Sequence, residues 1–332
     1  MARTRLDSAH YVQGILAKDL ALLSQAITLV ESNLPEDQAL ATEIVEACLP
    51  HSGHSMRVGI TGSPGVGKST FIEAFGLYLC DALKQKVAVL AIDPSSTRTQ
   101  GSILGDKTRM EQLGRHGSAY IRPSPSGGTL GGVHRATRET ILLVEAAGYD
   151  IVLVETVGVG QNETAIRSMV DFFLLLIQAG GGDELQGIKR GIMEMADALV
   201  VTKADGPLLH AAELARSQYA QALHLFPPNP SGMATQALTC SAVENKGLSE
   251  VWHLIQDYRA ITQTSGYWVH NRQQQQQQWL KAALEQAVLA QFFLQPGLKQ
   301  ALQLSLDQVA AGNLTPTRAV KALTDRYTPK SF

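Results

Sequence analysis

Residues 62–69 read Gly-Ser-Pro-Gly-Val-Gly-Lys-Ser, and they constrain the fold more than any other part of the chain. The spacing is G-x-x-x-x-G-K-[ST]. An apolar run over 57–61 precedes it and an amphipathic pattern over 69–83 follows it. A strand that turns through glycines straight into a helix satisfies this arrangement. Gly62, Ser63, Pro64, Gly65, Val66 and Gly67 then bring successive backbone amides towards one point without Cβ clashes. The helix that opens through Lys68, Ser69 and Thr70 adds the positive end of its dipole. Such a nest takes an anionic chain of phosphates. Lys68 is placed to neutralise β and γ oxygens, and the Ser69 hydroxyl to ligate Mg²⁺.

Apolar runs alternate with helical patterns on both sides of this motif. Strands are predicted over 57–61, 86–92, 119–122, 151–155, 171–178, 198–202 and 237–240, with helices over 69–83, 132–147, 208–223 and 248–264. Strand–helix alternation predicts an α/β fold of the P-loop type, a mostly parallel sheet with helices on both faces. This domain is expected to occupy 55–265. Residues 1–54 form an N-terminal helical extension: Ile15, Leu16, Leu20, Leu23, Ile27 and Val30 recur at helical spacing, and Pro35 separates them from 39–48. The expected shape is a helical hairpin, packed on the core or offered to a partner. Residues 266–332 form a helical arm. Six glutamines, 273–278, lie between Arg272 and Trp279, and Leu280, Leu284, Val288, Leu289 and Phe292 follow. We expect one exposed helix leading into an amphipathic one, with Pro296 and Pro316 punctuating two more. Such an arm can dimerise or pack on its parent domain.

Composition excludes several classes. Hydrophobic residues make up 45% and charged residues 17% of the 332, a globular balance. A formal net charge of −2 gives no basic field for nucleic acid or anionic lipid. The densest apolar stretch, 172–177, is far shorter than the roughly 20 residues of a membrane span. Arg3, Arg5, Asp7 and His10 interrupt any signal core at the N-terminus. Cys48, Cys80 and Cys240 are too scattered for a disulfide framework and fit a reducing cytoplasm.

Acids complete the phosphate site. Asp93 and Glu155 each end an apolar run, and strand ends of a parallel sheet share one edge. One would hold Mg²⁺ or its waters and the other orient the attacking water. Asp106 and Arg109 lie in a polar, glycine-flanked segment, where Asp106 is a further candidate ligand and Arg109 a candidate for offsetting transferred charge. A surface salt bridge is the alternative for both. Thr202-Lys203-Ala204-Asp205 ends a late strand and resembles the [NT]KxD base-reading motif. A carboxylate at 205 accepts from guanine N1–H and its exocyclic amine, a donor pair that adenine lacks. The Lys203 stem is expected over the base face. Backbone amides of Ser241, Ala242 and Val243 are expected to meet guanine O6. Thr at 202 weakens the match.

The chain resembles the MeaB/ArgK family of GTPases, which accompany adenosylcobalamin-dependent methylmalonyl-CoA mutase. The resemblance runs over nearly the whole chain. Residues 62–70, 93–96, 101–110, 155–161 and 178–189 carry it. It implies a homodimer that binds GTP and GDP and couples hydrolysis to loading, gating or protection of the mutase. Lys68, Ser69, Asp93, Asp106 and Glu155 become Mg-GTP residues by matched motif, and Asp205 the base reader. Residues 180–189 look like an additional switch. Gln161 comes three residues after Gly158 and need not place water as the glutamine of Ras-like proteins does, so hydrolysis is expected to be slow unless a partner orders the switches. Glu163 reads as a surface acid. Scattered histidines, His51 and His54 being the closest pair, argue against a nickel or zinc carrier. The main rival reading is an amino-acid transport-associated ATPase or kinase, which needs adenine specificity and a phosphoacceptor.

Overall fold

The computed structural model describes residues 5–92, 110–123, 130–156, 163–179, 190–227 and 229–327. Its centre is a seven-stranded sheet: β1 Met56–Gly62, β2 Val87–Ile92, β3 Ala119–Arg122, β4 Ile151–Thr156, β5 Phe172–Gln178, β6 Ala198–Thr202 and β7 Gln236–Thr239. The order is β3-β2-β4-β1-β5-β6-β7, and every pairing is parallel. Each observed strand begins and ends within a residue of its predicted range. The central strands are buried on both faces, which is why they read as unbroken apolar runs. Along β4, Val152 and Val154 join one core layer while Ile151 and Leu153 join the other, as the two-residue period of a strand requires.

Helices cover both layers. α4 Lys68–Asp81, α5 Glu111–Arg115 and α10 Leu248–Thr264 lie on one face. α6 Leu130–Ala146, α7 Glu163–Arg167, α8 Arg190–Met195 and α9 Leu209–Leu223 lie on the other. The helix that follows β1 therefore lies on one face, and the helices that follow its neighbours β4 and β5 lie on the opposite face. The end of β1 is thus the topological switch point, where ligands bind in such sheets.

The N-terminal extension differs from the expected hairpin. It is three helices, α1 Ser8–Leu16, α2 Leu20–Glu31 and α3 Pro35–Cys48. The first predicted stretch breaks because Lys18 takes a left-handed backbone (φ 67°) and Asp19 caps α2, its carboxylate accepting from the amides of Ala21 and Leu22. Gly14 allows the tight corner, since a Cβ there would lie 2.1 Å from Leu22 Cδ1. Ile15, Leu23, Ile27 and Val30 face the core, while Leu16 and Leu20 at the break are 37% and 49% exposed. Arg122, at the end of β3, pairs with Glu31 and fixes the end of α2 to the sheet.

The chain divides into two compact units, 1–273 and 274–332. α11 Tyr267–Phe293 runs unbroken through the glutamines, where two helices were expected. Glutamine is a good helix former, and neither glycine nor proline interrupts 267–295. α12 Leu298–Ala310 and α13 Pro316–Tyr327 follow, the first capped by Gly297 and the second opening on Pro316. In the first unit, Arg272 grips the start of the sheet. Its guanidinium donates to both Asp171 carboxylate oxygens at 2.7 Å, to Gly53 O at 2.6 Å and to Ser55 O at 2.7 Å. It also stacks over Trp268, 4.5 Å from the ring centre. No helix of the described residues is long and apolar enough to cross a membrane.

Candidate functional site

The loop between β1 and α4 has the shape its sequence requires. Gly62, Gly65 and Gly67 have φ of 155°, 81° and 97°. A Cβ on Gly62 would lie 2.5 Å from Leu176 O, so the strand end has room for glycine alone. Lys68 opens α4 and folds back over the loop, its ammonium donating to Gly62 O at 2.7 Å and Ser63 O at 3.1 Å. The residue is 9% exposed. Burial lowers the Lys68 pKa from its ordinary value, and the charge of Glu155 partly offsets this.

Glu155 reaches the same place from the next strand. β4 lies beside β1 in register, with Glu155 opposite Ile60. The residue is 3% exposed, and its Oε1 accepts from Ser69 Oγ at 3.3 Å. A hydroxyl and a buried carboxylate beside an ammonium make an all-oxygen donor pair. Mg²⁺ suits such a pair, because it takes few protein ligands and keeps water and phosphate oxygens for the rest. No cluster of three His, Cys, Asp or Glu side chains that could hold a metal exists among the described residues. His51 and His54 are exposed. Asp93, Asp106, Arg109, Gln161 and 180–189 lie outside the described residues.

Beyond the cradle a cavity of about 260 Å³ opens between Gly67 and Thr70 on one side and Lys203, Asp205, Ala242 and Val243 on the other. Two neighbouring residues tie this wall to the cradle. Thr202 Oγ1 donates to Val66 O at 2.7 Å, with Ile177 O at 3.2 Å. Lys203, in a left-handed backbone (φ 57°), donates from Nζ to Gly65 O at 2.8 Å and Gln178 Oε1 at 2.8 Å. The threonine expected to weaken the motif thus bonds a cradle carbonyl directly.

Ser241 corrects one expectation. Its amide donates to Lys246 O at 3.0 Å, and Lys246 N–H returns a bond to Ser241 O, so that amide is committed within a turn. The hydroxyl instead donates to Asp205 Oδ2 at 2.5 Å and accepts from the Glu244 amide at 3.1 Å. Ser241 is fully buried, so the carboxylate is held on a fixed donor. Ala242 and Val243 line the cavity. Glu163 is also corrected: it opens α7 and is 5% exposed, an interior acid rather than a surface one. No site role was read from sequence for Gln178, Leu208 or Cys240. Leu208 and Cys240 line the cavity, and burial pushes the Cys240 thiol up to about 12, which keeps it protonated. Only their neighbourhood to strand ends and to the 202–205 motif could have flagged them.

Known proteins agree with this architecture. Residues 23–296 match the family described as methylmalonyl Co-A mutase-associated GTPase MeaB. The chain is 46% identical over 318 residues to the GTPase ArgK of Escherichia coli (strain K12), covering 96% of each. It is 43% identical over 320 residues to the mitochondrial methylmalonic aciduria type A homolog of Mus musculus, covering 93% of this chain and 77% of the relative. A crystal structure described as LAO/AO transport system kinase superposes with a TM-score of 0.77 at 39% identity, over 97% of this chain and 98% of that one. The strand–glycine–helix cradle and the 202–205 wall thus stand in a chain that belongs to the MeaB family of GTPases.

Proposed function

We propose that this protein binds GTP and GDP over the end of β1, hydrolyses GTP with Mg²⁺, and couples nucleotide state to loading, gating or protection of an adenosylcobalamin-dependent methylmalonyl-CoA mutase. The observation that carries the nucleotide assignment is Asp205, fixed by the buried Ser241 hydroxyl at the wall of a cavity that adjoins the cradle. A fixed carboxylate accepts from the guanine N1–H and amine together, and no adenine edge offers that pair. The amides of Ala242 and Val243 remain for O6. Lys68 exchanges its loop carbonyls for β and γ oxygens, and Ser69 with Glu155 would hold Mg²⁺, which supplies charge neutralisation across those oxygens when bound. Asp93 and Asp106 are proposed to complete that set, with Arg109 offsetting charge on the transferred group.

The mutase partner rests on the family description and on the relatives' names. The arm is proposed to meet a second copy of the chain. Leu280, Leu284 and Val288 recur every four residues on α11 and are 71%, 61% and 56% exposed, an apolar row of the kind that exposed side chains offer to a partner. A cytoplasmic setting agrees with three free, buried cysteines. The transport-linked ATPase or kinase reading is favoured by the description of the 39% identical structure. Calorimetric titration with GDP and ADP separates the two: we expect GDP to bind at least about 100-fold more tightly, the discrimination that unpaired buried polar groups produce. Equal binding refutes the guanine assignment. A nucleotide-controlled pull-down from native extract that recovers no cobalamin-dependent mutase refutes the partner. Unassisted turnover near ten per second, an ordinary enzyme rate, contradicts partner-dependent hydrolysis.

A further inference from the structure

Gln178 closes β5 and takes no part in the scheme above, yet its side-chain oxygen accepts from Lys203 Nζ at 2.8 Å. The same ammonium donates to Gly65 O, also at 2.8 Å. We propose that Gln178 is a positioning residue for nucleotide retention: it fixes Lys203 so that the lysine stem forms one wall of the base pocket while its ammonium holds the cradle at Gly65. The inference rests on the guanine-nucleotide reading and adds a residue to it.

The geometry calls for a second acceptor. Lysine carries an ammonium on a flexible four-carbon stem, and Lys203 is only partly buried. Its backbone is left-handed, a conformation that residues with a side chain adopt where their surroundings impose it. A single bond to Gly65 O leaves the stem free to pivot about that point. Gln178 supplies the other fixed point from a rigid base, because it pairs with Thr202 in the last register step between β5 and β6. An ammonium has no acceptor site, so the oxygen of the Gln178 amide is the atom that faces it. The stem that leads to this doubly held ammonium passes over the cradle, with Lys203 Cε 3.9 Å from where a Cβ on Gly67 would lie. Every purine presents the same face to such a stem. Gln178 therefore affects how long a nucleotide stays and leaves the choice of base to Asp205.

The test is release of a fluorescent GDP from the full chain, comparing wild type with Gln178→Leu, Gln178→Glu, Lys203→Met and the Gln178→Leu/Lys203→Met double variant. A hydrogen bond to a charged group, discounted for partial exposure, predicts release about 3- to 10-fold faster in Gln178→Leu. Gln178→Glu keeps an acceptor and restores slow release. In the Lys203→Met background Gln178→Leu adds nothing, because its partner is gone. The affinity ratio of GDP to inosine diphosphate stays at the wild-type value throughout. Wild-type release from Gln178→Leu overturns the proposal, as does an undiminished effect in the Lys203→Met background. A changed base ratio, or failure of Gln178→Glu to recover, overturns it too. If wild type retains no GDP at all, the guanine reading falls and this inference with it.

Discussion

Replacing Ser241 by alanine removes one oxygen from the wall of the proposed base pocket, and its consequences can be worked out. The hydroxyl donates to Asp205 Oδ2 at 2.5 Å and accepts from the Glu244 amide. A hydrogen bond to a charged group is worth about 1.5–3 kcal/mol in a dry site. Asp205 is partly exposed, so water replaces some of that, and about 1 kcal/mol is the reasonable figure. At 1.4 kcal/mol per tenfold, GDP binding weakens roughly fivefold. The loss should be selective. Guanine needs both carboxylate oxygens aligned, one for N1–H and one for the amine. Inosine diphosphate lacks the amine and needs only one. Calorimetry on Ser241→Ala with GDP, inosine diphosphate and ADP should therefore show the GDP advantage over inosine diphosphate shrinking, with ADP binding unchanged. Unaltered GDP affinity, or equal losses for GDP and ADP, would refute the view that this hydroxyl orients a base-reading carboxylate.

Other outcomes follow from the same geometry. Chelating divalent cations should weaken GTP binding in the wild type and have much less effect in Ser69→Ala, checked by equilibrium binding with and without chelator. Arg272→Ala leaves the 2% exposed Asp171 carboxylate without its bidentate partner and should destabilise folding by about 3–5 kcal/mol in urea titration. Arg272→Lys should recover little, since an ammonium cannot fork. Lys68 has its pKa lowered in the folded chain, so the unfolded chain holds that proton to higher pH. Nucleotide-free stability should gain from this residue as pH rises through the lowered value towards 10.5, and GDP binding within that window should take up protons, read as buffer-dependent enthalpy.

The sheet was legible because its strands are buried on both faces. A run such as 172–177 has no polar residue to mark a face, only Gln178 to mark an end. The break at 17–19 was not legible, because apolar spacing continues across it. What ends α1 is a left-handed Lys18 and the packing of Gly14 against Leu22, a tertiary contact. The choice between amide and hydroxyl at Ser241 depended on a turn closed by Gly247, where a Cβ would meet Thr239 O at 2.3 Å. Thr202 looked like a weakened asparagine until strand register placed its hydroxyl on Val66 O. Glu163 read as a surface acid because a charged side chain is ordinarily solvated, yet it is buried.

The grip of Arg272 on Asp171, Gly53 and Ser55 bears on where this chain can be cut. Helical character starting at 267 invites a truncation near 265 to isolate the catalytic portion. That cut discards the guanidinium and the Trp268 ring beneath it. An interior aspartate is stranded at the head of β5, beside the start of β1 that leads to the cradle. An expression fragment should carry the first two turns of the long helix, to about residue 273, to keep its foundations.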